Sequence, residues 1–174
     1  MNKQIVTVPN CISVVRMLGT LALLFLEPLS LAFFIVYSLT GVTDVLDGTI
    51  ARLTGTTSKF GAKLDSTADL MFYSVMGLKI LPVLLEVLPW QLWVYVGIVV
   101  IIRLAAYTVG AVKYHQFVSL HTILNKLTGF GVFGIPYMIK QSFGLWYCWI
   151  ACTVAFAAST WELILHCTRS KLPQ

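Results

Sequence analysis

Six apolar stretches run along the chain, and short polar or proline-containing segments separate them. Within the stretches, apolar residues recur at helical spacing, although several stretches are short or carry charges. Glu27-Pro28, Leu88-Pro89 and the segment 141–144 mark ends of stretches. We therefore expect an all-α fold, a polytopic membrane bundle of six transmembrane helices with a short N-terminal surface segment, the helices covering 11–26, 30–52, 61–81, 91–112, 124–140 and 145–166.

The composition supports a membrane location. Of the 174 residues, 58% are hydrophobic and 11% are charged, and the mean hydropathy is +0.85, which excludes an ordinary soluble domain. No cleavable signal peptide is evident, because the opening is polar and Arg16 interrupts the first apolar stretch. We expect residues 1–174 to form a single membrane domain in contact with the lipid bilayer.

Basic residues lie mostly on one side of the predicted bundle, with Lys79 and Lys140 on the other. The positive-inside rule makes the first side cytoplasmic, and we expect the inner membrane of a bacterial cell. The net charge of +5 then reflects topology and anionic lipid, and it does not indicate nucleic acid as a partner. The basic residues of the cytoplasmic side are Lys3, Arg16, Arg52, Lys59, Lys63, Lys113, Lys126, Arg169 and Lys171.

Four of the seven acidic residues lie between two apolar flanks: Asp44, Asp47, Asp65 and Asp69. Carboxylates in such a setting are costly unless a cation neutralises them. The spacing of each pair places it on one helix face, and the polar turn between the pairs makes the two helices antiparallel neighbours. Four converging carboxylates predict a site for Mg²⁺ or Mn²⁺, with two ions expected, and metal ions bound in this way typically hold substrate phosphates.

Other polar residues allow more than one interpretation. Asn10 and Arg16 flank the first helix and could cap it, extend toward the interface or contact a ligand. Gly48 and Gly61 make room for a ligand or a close helix, since neither is needed for a turn. The four cysteines contain no CxxC pair and are expected to be reduced. His115, His121 and His166 have no metal-binding spacing.

The string from Asp44 to Asp69, DxxDGxxAR followed by eight residues and GxxxDxxxD, resembles the signature of the class I CDP-alcohol phosphatidyltransferase family, and in particular its phosphatidylglycerophosphate synthase-like members. The upstream PNCISVVR resembles the segment that opens many members. The resemblance implies a homodimeric phospholipid-synthesising enzyme. It would transfer the phosphatidyl group of CDP-diacylglycerol to the hydroxyl of a small polar alcohol and release CMP.

The resemblance also implies roles for individual residues. Asp44, Asp47, Asp65 and Asp69 would bind metal, and Asp69 would also be the catalytic base. The residues expected to contact the CDP-lipid are Asn10, Gly48, Ala51, Arg52 and Gly61.

The acceptor alcohol is less constrained by the sequence. Arg103 lies inside an apolar helix and Lys126 begins another, so both are expected to contact the acceptor, with an ion pair as the structural alternative for Arg103. These basic residues favour glycerol 3-phosphate, with inositol phosphate or serine as alternatives. The GKxKT-like string of many phosphatidylglycerophosphate-forming members is absent.

Two other classes of function place carboxylates in this setting. A divalent-cation carrier would also hold aspartates between membrane helices, but Arg52 would repel a passing cation. An aspartate-rich prenyltransferase has two separate acidic motifs with a different spacing. Neither explains the glycines of the motif.

Overall fold

The computed structural model describes residues 7–53, 58–114 and 123–168, with the backbone alone at 45, 47–49, 51–53, 59, 62 and 114. These residues form helices and connecting turns without any strand. The prediction of an all-α fold is therefore confirmed. The six helices are α1 (Val8–Phe25), α2 (Leu31–Leu53), α3 (Lys59–Val87), α4 (Trp90–Tyr114), α5 (Ile123–Met138) and α6 (Gly144–Thr168).

Two helix boundaries differ from the predicted ones by more than two residues. α1 begins at Val8 because the Thr7 hydroxyl accepts a hydrogen bond from the Asn10 backbone N–H, and a proline fits the first turn. α3 continues through Pro82 to Val87, although its end was predicted at residue 81. In an apolar surrounding a helix keeps its remaining backbone hydrogen bonds, so one proline does not end it.

Four helical segments in the described part of the chain are long and apolar enough to cross a membrane: Val8–Phe25, Lys63–Val87, Trp90–Lys113 and Gly144–Thr168. α2 contains a shorter apolar run, Leu31–Asp44, and α5 has 16 residues. Many large apolar side chains are exposed, as on a surface that faces lipid. The protein is an integral membrane protein, and four of the six predicted spans meet the length and composition expected of a span.

The chain divides into two compact units, Met1–Leu85 and Glu86–Gln174. That residues 1–174 act as one domain stays a prediction. In the first unit, the turn between α1 and α2 places buried Leu29 at φ 62°, a left-handed conformation that is rare for leucine. Ser30 then begins α2, since its hydroxyl accepts from the Phe33 backbone N–H.

α1 and α3 run in the same direction within the first unit. Near the start of both helices, Gly61 faces the side chain of buried Asn10. Near the other end, the Lys79 ammonium donates to the backbone carbonyl of Leu26 at 2.8 Å. α2 runs in the direction opposite to α1 and α3. Tyr37 of α2 stacks on Phe72 of α3, with 5.6 Å between the ring centroids.

In the second unit, α4 and α5 both pack against α6. The Tyr95 ring of α4 stacks on Trp149 of α6 at 5.8 Å. On the α5 side, Gly131 lies against Ala151, and the Tyr147 hydroxyl donates to the Gly131 carbonyl at 2.9 Å. Small residues at these crossings let the helix backbones approach closely, as is typical of membrane helices.

Candidate active site

Three of the four predicted aspartates converge in the first unit. Asp44 lies on α2, and Asp65 and Asp69 lie one turn apart on the same face of α3. One carboxylate oxygen from each lies within 4.8 Å of the others. Their side chains are 50%, 43% and 44% exposed, respectively, so a ligand can reach them.

The guanidinium of Arg16 holds this cluster together. From α1, its Nη1 donates to Asp44 Oδ1, and its Nη2 donates to Asp65 Oδ1. Nη2 also lies 3.4 Å from Asp69 Oδ1. The Arg16 side chain is 1% exposed, which excludes extension toward the membrane interface, one of the interpretations that the sequence allowed. Arg16 therefore links α1 to the carboxylates of both other helices in its unit.

The donor set fits a divalent cation. Carboxylate oxygens are hard ligands, and three of them at this separation can share one ion of the Mg²⁺ or Mn²⁺ type. Their partial exposure leaves coordination positions open for a substrate oxygen. The residues that would hold the ion in the described part of the chain are Asp44, Asp65 and Asp69.

Four motif positions on α2 lie outside the described side chains. The backbone of Asp47, Gly48, Ala51 and Arg52 is helical, in the turns that follow Asp44. Asp47 is three residues after Asp44, so the helix places it one turn along, near the same face. The metal role of Asp47 and the CDP-lipid roles of the other three residues remain predictions.

Asn10 and Gly61, both predicted to contact the CDP-lipid, contact each other. A Cβ at Gly61 would lie 2.8 Å from Asn10 Oδ1 and 3.2 Å from the Ser58 hydroxyl oxygen. Asn10 is buried. Of the two reasons that the sequence allowed for this glycine, the structure therefore supports a close approach between helices, one turn before Asp65. A contact with the lipid stays a prediction for both residues.

An apolar cavity of about 380 Å³ lies beside α1 and α2. Its lining includes Thr43, the residue before Asp44 on α2. The other lining residues belong to the first half of α1 or its cap: Thr7, Val8, Cys11, Ile12 and Val15.

The second unit contains a polar network that the sequence only partly indicated. Arg103 Nη1 of α4 lies 3.2 Å from Glu162 Oε2 of α6 and donates to Asn125 Oδ1 of α5 at 2.7 Å. The Asn125 amide donates to Glu162 Oε2 at 3.0 Å, and Arg103 Nε donates to the Tyr107 hydroxyl at 3.0 Å. The Arg103 side chain is 26% exposed, whereas that of Glu162 is fully buried.

The same network extends toward the end of α6. Fully buried His166 lies one turn after Glu162, with Nε2 3.8 Å from Glu162 Oε1, and its ring packs on Gly110 of α4. The Lys113 ammonium donates to the backbone carbonyls of His166 and Cys167. Lys113 thereby satisfies two carbonyls at the end of α6 that have no partner within the helix.

Glu162 was not singled out from the sequence, although a signal was present. It is an acid inside an apolar stretch, and such a residue calls for a partner on another helix. Arg103 met the same criterion and was recognised. Lys126, the other predicted acceptor residue, is exposed on α5 next to Asn125.

Comparison with known proteins supports the resemblance. The family model described as CDP-alcohol phosphatidyltransferase matches residues 6–161. A CDP-diacylglycerol–serine O-phosphatidyltransferase from Methanocaldococcus jannaschii is 33% identical over 73 residues, which are 42% of this chain and 34% of that protein. The match thus spans about a third of the length of the curated relative. No solved structure matches the chain.

Proposed function

Because this chain belongs to the CDP-alcohol phosphatidyltransferase family, we propose that it transfers the phosphatidyl group of CDP-diacylglycerol to the hydroxyl of a small polar alcohol, with release of CMP. The observation that carries this proposal is the convergence of Asp44, Asp65 and Asp69, from two helices, on one partly exposed point. The product would be a phospholipid.

The aspartates would bind Mg²⁺ or Mn²⁺, with a second ion expected once Asp47 contributes. When bound, the metal supplies positive charge that neutralises the diphosphate and stabilises charge on the oxygens around the reacting phosphorus. Asp44 and Asp65 set the position of that charge. The cavity beside Thr43 is apolar, which suits the diacylglycerol part of the donor.

Asp69 is the proposed base. It lies one turn from Asp65 and is 44% exposed, so an acceptor hydroxyl can approach its carboxylate. The acceptor oxygen forms a bond to the lipid-bearing phosphorus, and the phosphorus–oxygen bond to CMP breaks. The hydroxyl proton passes to the Asp69 carboxylate, and CMP leaves with the electron pair of the broken bond.

For the acceptor, we keep glycerol 3-phosphate as the first candidate, because Arg103 and Lys126 could bind its phosphate. Serine is a second candidate, favoured by two observations. The curated relative is named for serine, and Arg103 and Lys113 already engage Glu162 and the end of α6. Inositol phosphate is the third.

The test is an assay of CMP release by the purified protein with CDP-diacylglycerol and each acceptor in turn. We expect turnover with Mg²⁺ or Mn²⁺ and none in EDTA. Asp44→Asn, Asp47→Asn and Asp65→Asn should each lose activity by about a hundredfold or more, because each removes a charge that positions the metal. Glu27→Gln is the matched control, since Glu27 is an exposed acid in the turn between α1 and α2. Full activity in EDTA would contradict the proposal.

We also propose that the protein is a homodimer in the bacterial inner membrane, with the aspartates facing the cytoplasm. The family resemblance supports the dimer. The distribution of basic residues supports the orientation.

A further inference from the structure

The guanidinium of Arg16 contacts the carboxylate oxygens that would hold a metal. Nη1 engages Asp44 Oδ1, and Nη2 engages Asp65 Oδ1 and approaches Asp69 Oδ1. The Arg16 side chain is 1% exposed, so water solvates its positive charge very little. A carboxylate oxygen that donates its lone pairs to a metal is a weaker acceptor for a guanidinium at the same position.

We propose that Arg16 is a built-in counter-cation that competes with the divalent ion for Asp44, Asp65 and Asp69. This inference rests on the metal site of the proposed function. Three carboxylates between membrane helices are costly without a cation. Arg16 lowers that cost and keeps α1, α2 and α3 assembled before a metal arrives. Metal binding then weakens the contacts of Arg16 with the carboxylates.

An alternative role for Arg16 predicts the opposite sign. If Arg16 only supported the aspartates structurally and kept its contacts when metal is bound, its removal would disorder the ligands and weaken metal binding. If Arg16 competes with the metal, its removal strengthens metal binding while it destabilises the metal-free protein. Both effects are measurable without any substrate.

The experiment measures Mn²⁺ binding and thermal unfolding of the purified full chain. Free Mn²⁺ is followed by electron paramagnetic resonance, and unfolding is recorded in EDTA and in saturating Mn²⁺. The variants are Arg16→Gln and Arg16→Lys. Lys79→Gln is the matched control, because it removes a cation from the same unit at the other end of α3, where Lys79 contacts Leu26.

We expect Arg16→Gln to bind Mn²⁺ about tenfold more tightly than the wild type, within the usual range of coupling between two ligands. In EDTA it should unfold at a lower temperature, and Mn²⁺ should raise its Tm more than that of the wild type. Arg16→Lys should lie between the two, since an ammonium lacks the planar fork of the guanidinium. Lys79→Gln should bind Mn²⁺ like the wild type.

Equal or weaker Mn²⁺ binding by Arg16→Gln would overturn the inference and leave the metal site intact. If the wild type bound no Mn²⁺, the proposed function itself would fail. Mn²⁺ present during purification should replace the missing cation. Failure of both Arg16 variants to fold under those conditions would therefore also overturn the inference.

Discussion

Asp69 is the aspartate for which we propose a role different from that of its neighbours. It shares its helix face with Asp65, but Arg16 lies farther from it, at 3.4 Å. In the proposed function, Asp69 would bind metal at the edge of the cluster and accept the proton of the acceptor hydroxyl. If Asp69 is the base, its replacement should separate the binding of the donor lipid from the chemical step.

We predict that Asp69→Asn keeps most of the affinity for CDP-diacylglycerol and loses transfer by about a hundredfold or more, as expected when a general base is removed. An amide keeps the shape of the side chain but cannot accept the proton. Donor binding is measured by equilibrium titration and transfer by CMP release. Normal turnover of the variant would require another base.

Gly61 is a position in the first unit where an added methyl group has little room. Its Cβ would lie 2.8 Å from Asn10 Oδ1, so alanine must displace a buried side chain at about 1 to 3 kcal/mol. We predict that Gly61→Ala lowers the Tm. Gly77→Ala on the same helix is the control, because nothing lies within 4 Å of its Cβ. It should be neutral or stabilising by up to about 1 kcal/mol, since alanine favours a helix. Equal effects would contradict the close contact between Asn10 and Gly61.

The sequence did not predict which charged residues on different helices contact each other. The aspartates were predicted to converge because spacing within a helix fixes which residues share a face. The partner of a charged residue on another helix depends on how each helix is rotated about its axis and shifted along it. The spacing of residues within one helix determines neither. Arg16 was therefore expected to cap α1, extend toward the interface or contact a ligand, and Glu162 was not recognised as the partner of Arg103.

At the scale of elements, buried polar contacts tie α4, α5 and α6 together. Glu162 supplies the negative charge, and Arg103 and Asn125 are its partners on the two other helices. Removing one partner leaves a buried carboxylate uncompensated, whereas replacing both by apolar residues of similar size removes that cost. The stabilities of the single and double variants should therefore differ enough to be separated by unfolding measurements.

We predict that Arg103→Leu destabilises the protein by about 3 kcal/mol, and that adding Glu162→Leu restores most of the loss. Thermal unfolding of the two single variants and the double variant gives the coupling. If Arg103 also binds the acceptor, the double variant should regain stability while its KM for the acceptor stays raised by about ten- to a hundredfold, as expected for a lost charge-assisted contact. An unchanged KM would withdraw the acceptor role from Arg103.

The helices themselves were predicted more reliably than their ends. All six were recognised from apolar stretches, since the membrane requires uninterrupted helices. The start of α1 depended on the Thr7 cap, and the end of α3 depended on whether Pro82 breaks a helix. The pattern of apolar residues determines neither of these two helix ends.

At the scale of the whole molecule, the direction of each helix determines from which end the aspartate cluster can be reached. In the first unit, Asn10 and Gly61 mark one end, and Lys79 with Leu26 marks the other. Arg16 is six residues after Asn10, which places the aspartates about 9 Å from the first end at 1.5 Å per residue. We therefore expect soluble acceptors to enter from that end.

We predict that Cys11, which is exposed near this end of α1, reacts with a membrane-impermeant maleimide only from the cytoplasmic side. The positive-inside rule provides the reason. A variant that keeps Cys11 as its single cysteine is labelled in intact cells and in inverted vesicles. A second variant that keeps only Cys167, also exposed, tests the predicted location of the C-terminal end. Labelling of Cys11 in intact cells would reverse the proposed orientation.

The short apolar run of α2 has a consequence for the membrane around it. Leu31–Asp44 places the first carboxylate only about 20 Å along the helix, whereas the hydrocarbon layer of a bilayer is about 30 Å thick. Such hydrophobic mismatch favours local thinning of the leaflet beside α2. In the thinned region, the headgroup of a diffusing lipid would lie closer to the depth of Asp44 in the membrane. Bilayer thickness would then act as a control on the enzyme, and lipids with shorter acyl chains should favour delivery of the donor.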